Sequence, residues 1–267
     1  LLQIVAVMSS RQVSQSQNLN YSPVLKVESE KALSYLSLTD FPNRSLEKWK
    51  YSKFGKLKKT IFHNKHNFNL NEIKDLDLPV ENGFNLVFEN GRINNRLSNL
   101  DNLEGLTITS FTESSVSIKN FINKYNSKYD NYFSFLNHGY LEDGLLLKVK
   151  KEARIEKTVN IIYINTISNF LSNTRLNIIV EDSSYLSLKQ YFICNENVIN
   201  SFSNHISEFK IGKSGKLKTD KLQDVNANFC ICSENIQQEE SSFFSINTFS
   251  NSGEIIRNNI NVDVNGE

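Results

Sequence analysis

Two cysteines separated by one residue are the first candidates for chemistry in this sequence. Cys230 and Cys232 would place both thiols on one face of a β-strand, because side chains along a strand repeat with a period of two. With Cys194 and His205 they could form a zinc or iron–sulfur site, since thiolates and imidazoles bind both. Their spacing matches neither the C-x2-C zinc pattern nor a ferredoxin run, and buried cysteine is more often a small apolar residue. We therefore expect no metal on this chain alone, and these four residues are the candidates if one binds.

A second candidate site combines two carboxylates with a basic residue. Asp220, Asp224 and Arg257 could line one face of a β-stack, as acidic and basic groups do in β-helical enzymes that cleave polysaccharides. The alternative is that they are solvated charges on exposed ladders. The sequence contains no G-x-S-x-G, no H-E-x-x-H and no P-loop. We expect no catalytic residue, and if the protein works in an ATP-driven assembly, the ATP must bind a partner.

A motif that occurs four times predicts how these residues are positioned. Each copy has an apolar residue, a short polar turn and a second apolar residue six positions later. The copies are Val149 to Ile155, Val180 to Leu186, Ile211 to Leu217 and Phe249 to Ile255. The first three start 31 residues apart and the fourth lags by seven more. A fixed period with strand-like alternation predicts a stacked β-helix or β-solenoid; a β-sandwich with similar hairpins is the alternative.

The turns of this motif have a small residue at their fifth position, where a tight turn needs a permissive backbone or a close approach. These residues are Ala153, Ser184, Gly215 and Gly253. The second apolar residue of each copy is expected to point into the stack. These residues are Ile155, Leu186, Leu217 and Ile255.

The chain divides into three predicted regions. Residues 1–22 form a disordered or non-native leader, because they are rich in Ser, Gln and Asn and precede or surround the only methionine, Met8. Residues 23–139 form a helical N-terminal region with connecting strands. Residues 140–267 form a mainly β core, the β-helix, which we expect to be truncated because strand alternation continues to the last residues.

Within the N-terminal region the patterns predict individual elements. One helix starts at Ser29 and carries Leu33, Leu36 and Leu38, and a second, capped by Ser45, carries Leu46, Trp49 and Lys50. A strand over 84–92 enters an Asn-Gly hairpin turn, and 106–111 forms another strand. A further helix passes through Ile118, Phe121, Ile122 and Tyr125. Strands are also predicted at 161–164, 176–180 and 206–211.

The composition excludes several classes of function. A formal net charge of +1 argues against a nucleic-acid binder that relies on a broad basic surface. One local basic stretch holds Lys56, Lys58, Lys59 and Lys65, and is interpreted as a solvated face. The apolar opening of seven residues is too short to span a membrane or to serve as a signal core. Three cysteines do not make a disulfide framework, which fits a reducing cytoplasm.

Several stretches resemble the SufB/SufD family of the SUF iron–sulfur cluster assembly machinery. Residues 41–51, FPNRSLEKWKY, resemble the P-x-R-x-x-E-x-W-K-Y segment of SufD, and this segment favours the SufD branch over SufB. Further matches follow in the family's order: 86–92 with 97–100 (VFVNG…LS), 135–137 with 143–144 (ALN…DG), 173–181 (R-x-x-I-V-x-E), 221–223 (K-L-Q), and 257–259 with 266–267 (RN…GE). The chain departs from the family at His138-Gly139, where Ala usually follows Leu-Asn.

The resemblance implies a helical N-terminal region, a parallel β-helix core and a helical C-terminal domain, the last of which this sequence lacks. It implies a non-catalytic scaffold subunit that pairs with a SufB-like subunit through the β-helices. A SufC-like ATPase would bind the missing C-terminal part, and any iron–sulfur cluster would sit on the assembled complex. Neither nucleic acid nor a membrane is an expected partner. Two other functions stay open: a β-helical carbohydrate-active enzyme and a structural, self-assembling β-solenoid.

Overall fold

The computed structural model describes residues 4–5, 23–64, 84–99, 103–111 and 130–266. These residues form a parallel β-solenoid of about four turns with few helices. Its strands make two facing six-stranded sheets. Sheet I contains, in spatial order, β14 (Ile255–Asn265), β12 (Phe229–Glu239), β10 (Phe202–Ile211), β8 (Leu171–Val180), β6 (Asp143–Val149) and β5 (Leu106–Ser110). Sheet II contains β13 (Phe243–Ser252), β11 (Lys216–Asp224), β9 (Tyr185–Cys194), β7 (Val159–Asn165), β3 (Phe84–Glu89) and β4 (Arg92–Ile93).

The strands before residue 140 complete the first coil of the solenoid. β3 pairs parallel with β7, while β5 pairs antiparallel with β6 and β4 antiparallel with β3. The predicted Asn-Gly hairpin is confirmed, because Asn90 and Gly91 both have positive φ, at 46° and 90°. The predicted strand at 106–111 is confirmed as β5. The boundary between residues 139 and 140 stays a prediction.

The first three copies of the repeated motif are the corners where the chain passes from sheet I to sheet II. The register stacks Val149 on Val180 and Val180 on Ile211, and all three are fully buried. Ile155, Leu186 and Leu217 are also buried, as predicted. Burying such a side chain contributes about 1.5–3 kcal/mol.

At each corner, two neighbouring residues meet the two requirements of the turn: one adopts the left-handed backbone conformation, and the next is small enough for a close approach. Glu152, Ser183 and Ser214, each one position before the small residue, adopt the left-handed conformation with φ of 62°, 55° and 55°. The small residue permits the close approach: a Cβ on Gly215 would lie 2.9 Å from the carbonyl oxygen of Gly212. The fifth residue of the motif is therefore small because a larger side chain would clash there, and the residue before it provides the left-handed conformation of the turn.

The fourth copy of the motif does not continue the stack, and the prediction that Ile255 points into the core was wrong. Phe249 lies within β13 and is 65% exposed, and Ile255 packs with the helical region on the outer face of sheet I. The true successors of Ile211 and Leu217 are Gln238 and Phe244. The register advances 31 residues from Thr174 to His205 but only 27 from His205 to Cys232. The shorter coil and the polar Gln238 hid this corner in the sequence.

The N-terminal region contains α1 (Pro23–Leu38), a 3-10 helix (Glu47–Trp49), α2 (Gly55–Lys59), β2 (Phe62–His63) and α3 (Tyr132–Gly139). α1 begins before the predicted Ser29, with proline in its first turn, where it is tolerated. The second predicted helix was wrong in extent, since only the single 3-10 turn forms. Ser45 donates from its backbone and its hydroxyl to Asn43 Oδ1 instead of capping a helix. The predicted helix through Ile118 and Tyr125 lies outside the described residues.

The predicted leader contributes one short strand. β1 (Ile4–Val5) pairs antiparallel with β2, so these two residues are ordered in a segment that we expected to be disordered or non-native. The other residues of 1–22 lie outside the described part. Within the described ranges, no helix combines the length and the apolar character needed to cross a membrane.

The helical region packs against the outer face of sheet I through an aromatic cluster. It includes Trp49, Phe54, Phe62, Tyr132, Phe133, Phe202 and Phe229. α1 covers α3, and α3 in turn contacts β8 and β10. Trp49 is a core residue of this cluster, because it is only 4% exposed.

Candidate functional site

The interior of the solenoid changes from apolar to polar along its axis. One column of stacked inward positions runs Leu176, Ser207, Glu234. The facing column of sheet II runs Ile161, Gln190, Lys221. We call the polar part of this interior the polar cluster; its members are Gln190, His205, Ser207, Lys221, Gln223, Cys230, Cys232, Glu234 and Asn258. It contains three of the four candidate metal ligands, all except Cys194.

A buried ion pair lies at the centre of the polar cluster. Lys221 Nζ donates to Glu234 Oε1 and, at 2.9 Å, to Asn258 Oδ1, and both charged side chains are fully buried. Burial raises the pKa of Glu234, and the nearby ammonium only partly offsets it. Glu234 Oε2 and Gln190 Oε1 have no hydrogen-bond partner among the described residues. Such a pair is costly to disturb, because removing one partner leaves a buried, uncompensated charge.

The two adjacent cysteines lie on one inward face, as the strand alternation predicts. Cys230 Sγ and Cys232 Sγ are 3.6 Å apart, and Gln223 Nε2 donates toward them at 3.4 and 3.5 Å. Both residues are fully buried. Burial, followed by the hydrogen bond from Cys230, raises the pKa of Cys232 well above its ordinary value. The Cys232 thiol therefore stays protonated at neutral pH, and a thiol must lose its proton to bind a metal.

Cys194 lies apart from this pair, at the corner after β9. Its Sγ is 3.7 Å from Ser201 Oγ, and burial raises its pKa to about 12. All three cysteines are free. Cys194 is therefore also a neutral thiol held next to hydroxyl groups.

His205 stacks directly on Cys232 in the register of β10 and β12. Its Nδ1 lies 2.8 Å from Thr174 Oγ1, and its Nε2 lies 2.8 Å from Ser207 Oγ. Burial, with Lys221 next in importance, lowers its pKa well below the ordinary value, so the imidazole is neutral. Both ring nitrogens are thus engaged by hydroxyl groups.

The structure therefore brings three of the four candidate ligands into one cluster without arranging them around a common point. Among the described residues, no group of three or more His, Cys, Asp or Glu side chains converges as metal ligands do. The absence of a metal on this chain stays a prediction. Sequence reasoning missed the pairing of Lys221 with Glu234: Lys221 lies in the K-L-Q segment, but no motif contains Glu234 or links the two residues.

A second buried ion pair lies on the outer face of sheet I. Arg175 Nη2 donates to Glu208 Oε1 at 2.6 Å, and the arginine side chain is only 3% exposed. α3 is fastened beside it, because Asn137 Nδ2 donates to the carbonyl oxygens of Thr174 and Asn204 at 3.0 and 2.8 Å. These contacts join the helical region to the solenoid. They explain why 173–181 carries polar residues at outward positions of a buried strand.

The possible group of two carboxylates and an arginine does not form, because its members lie on opposite outer faces. Asp220 and Asp224 lie on sheet II and accept from Asn247 and Asn251 of the next coil at 2.9 and 3.0 Å. Arg257 lies on sheet I against the N-terminal region. The two carboxylates are therefore ladder charges, and the candidate groove of a carbohydrate-active enzyme is not formed by these three residues.

Comparison with protein-family models gives two matches that follow each other along the chain. The SufBD protein N-terminal region matches residues 10–161, and the SUF system FeS cluster assembly, SufBD core domain, matches residues 162–267. A search of the curated proteins found no match. The matches do not distinguish SufD from SufB, but together they cover nearly the whole chain. The chain belongs to the SufBD family, whose domains serve the SUF system of iron–sulfur cluster assembly.

Proposed function

We propose that the chain is a non-catalytic scaffold subunit of a cytoplasmic iron–sulfur cluster assembly complex, on the SufD branch of the family. The match of both family domains from residue 10 to residue 267 carries the proposal. The SufD branch rests on the resemblance of residues 41–51. Their central Trp49 is buried between the helical region and the solenoid, which gives this segment a structural role. The cytoplasm rests on three free cysteines that form no disulfide.

The last described coil supports pairing with a SufB-like subunit. β13 and β14 are the terminal strands of the two sheets in the described structure, so each has one strand neighbour. Several apolar side chains near this end are exposed: Phe243, Phe249, Ile260, Val262 and Val264. An exposed strand edge with apolar side chains is a template for pairing with another chain. The β-solenoid of a SufB-like subunit would present strand edges that can pair with those of β13 and β14.

The polar cluster supports a scaffold role over a catalytic one. Its histidine, cysteines, lysine and glutamate are at most 1% exposed, so no substrate can contact them in this conformation. Their polar atoms bind one another instead. ATP hydrolysis would come from a SufC-like ATPase, whose docking we assign, by resemblance, to a C-terminal helical region outside residues 1–267. A cluster would form on the assembled complex.

Co-expression of the tagged chain with SufB-like and SufC-like proteins tests the proposal. We expect the SufB-like subunit to co-elute, and Val264→Asp to abolish co-elution, because Val264 is 68% exposed near the open end. Ile199→Asp is the matched control, since Ile199 is 52% exposed at a corner between β9 and β10. Co-elution that survives Val264→Asp would place the interface elsewhere. Regular polymers of the chain alone would favour the self-assembling alternative.

A further inference from the structure

A cavity of about 520 Å³ lies between the N-terminal region and the last corner of the solenoid. Two N-terminal segments form most of its wall, 41–44 and 52–58, and Glu254, at the corner between β13 and β14, closes it. We call it the basic cavity, because its lining contains Arg44, Lys53, Lys56 and Lys58. It is separate from the polar cluster and from the exposed strand edges of β13 and β14.

The charges of the basic cavity are unbalanced. Of these four cations, Lys56 is the one paired with a described residue: its Nζ lies 3.0 Å from Glu254 Oε2. Arg44, Lys53 and Lys58 form no ion pair with any described residue. Four cations against one carboxylate give the described lining a net positive charge, and a concave charged surface concentrates ions of the opposite sign.

The floor of the basic cavity is apolar. Phe41 is partly exposed and packs edge-on against Phe54 at 5.6 Å between ring centroids, and Pro42 lies beside it. The volume falls in the range of small-molecule sites, about 300–1,000 Å³, and exceeds what one phosphate group fills. An apolar floor with cations at the rim fits a ligand that has both an anionic and an apolar part.

We propose that the basic cavity binds a phosphate-bearing small molecule. Its phosphates contact Arg44, Lys53 and Lys58, whose guanidinium and ammonium groups are the common phosphate donors of proteins. An aromatic or apolar moiety packs against Phe41 and Pro42. Because the wall includes residues 41–44, residues 52–58 and Glu254, the ligand joins the N-terminal region to the last coil and stabilises that contact.

Titration calorimetry on the 267-residue chain at low salt tests this with inorganic pyrophosphate and ADP as probes. We expect one site for each probe, with ADP tighter because its nucleoside reaches the apolar floor. Arg44→Ala/Lys58→Ala should weaken binding about three- to tenfold, since two exposed charge contacts are lost. Glu254→Gln should tighten it, because the only carboxylate among the described wall residues is removed. Lys189→Ala, an exposed lysine on sheet II, should change nothing.

Each other outcome overturns part or all of the proposal. Equal affinities of the wild type, Arg44→Ala/Lys58→Ala and Glu254→Gln would show that the cavity is not the site. ADP no tighter than pyrophosphate would remove the apolar moiety from the ligand. Binding to phosphatidylglycerol vesicles that depends on Arg44 and Lys58, without binding of either soluble probe, would assign the phosphate to a lipid headgroup instead. Unchanged thermal unfolding of each variant confirms that it is folded.

Discussion

The guanidinium of Arg257 lies over the indole of Trp49, with Cζ 4.0 Å from the ring centroid. Its Nη1 donates to Ser52 Oγ and its Nη2 to the carbonyl oxygen of Lys48, each at 2.8 Å. One side chain of β14 thus holds three residues of the N-terminal region, more than 200 positions earlier in the sequence. The helical region and the last coil are therefore stabilised together.

Replacing Arg257 tests this contact. We expect Arg257→Ala to lower the free energy of unfolding by about 1–3 kcal/mol, because a cation–π contact and three charge-assisted hydrogen bonds are lost, the third from Nε to Asn259 Oδ1 at 2.9 Å. Arg154→Ala is the matched control: Arg154 lies 4.5 Å over Tyr185, but its side chain is mostly exposed and bonds only Glu156. Urea unfolding of both variants measures the difference. Equal losses would show that the contact with residues 48–52 contributes nothing.

The register of the solenoid can be tested at its inward corners. We expect Leu186→Asp and Leu217→Asp to prevent soluble expression, because each loses about 1.5–3 kcal/mol of apolar burial and adds a buried charge. Phe249→Asp should express normally, since Phe249 is exposed and lies outside the true repeat. The measurement is the soluble fraction after expression. Normal folding of both leucine variants would refute the register.

Stability should fall as the pH drops below neutrality. Burial lowers the pKa of His138 and His205 well below 6.5, so the folded chain keeps both neutral while the unfolded chain binds protons below pH 6.5. Their stabilisation is therefore present above pH 6.5 and is lost as the pH falls, by up to about 1.4 kcal/mol per pH unit for each histidine.

The corresponding variant is His205→Gln, which keeps a hydrogen-bonding side chain beside Thr174 and Ser207. We expect it to reduce the loss of stability between pH 7 and pH 5.5 by about half, since His138 still contributes. Urea unfolding at several pH values gives the slope. A wild-type slope in the variant would mean that His205 is protonated in the folded chain.

The cysteines should be dispensable for folding and should hold no cluster on their own. Each Cys→Ser change at 194, 230 or 232 should be tolerated at a cost of about 1 kcal/mol or more, because a hydroxyl group replaces a buried, weakly polar thiol. Anaerobic reconstitution with iron and sulfide, followed by visible absorption and metal analysis, tests the second point. A stoichiometric cluster that disappears in Cys230→Ser and Cys232→Ser would contradict it.

The corners of the solenoid were predictable because their signal is local and periodic. Val149, Val180 and Ile211 recur at equal spacing, and any residue in that place must be apolar to be buried. The fourth corner was not predictable, since the coil is shorter and the polar Gln238 occupies the position that is apolar in the first three corners. Phe249 and Ile255 have the spacing of the motif by chance, and they do not occupy the equivalent positions of the fourth corner.

The polar cluster could be predicted from the sequence only in part. Cys230 and Cys232 could be placed on one face, because their relation lies within one strand. Lys221 and Glu234 could not be paired, since their contact depends on two strands in opposite sheets facing each other. Side-chain polarity alone would place Leu222 inside and Lys221 outside, whereas alternation from the inward Leu217 predicts the reverse; the structure follows the alternation, burying the lysine and leaving Leu222 on the outer face.

Because the interior changes from apolar to polar along the axis, unfolding of the solenoid should start at its polar end. Coils of a solenoid contact only their neighbours, so local opening starts where the least apolar surface is buried. That place is β13 and β14, whose backbone amides should exchange with deuterium before those of β6 to β9. Arg257 joins this least stable end to Trp49, so that the 3-10 helix of the N-terminal region protects the last described strand from opening.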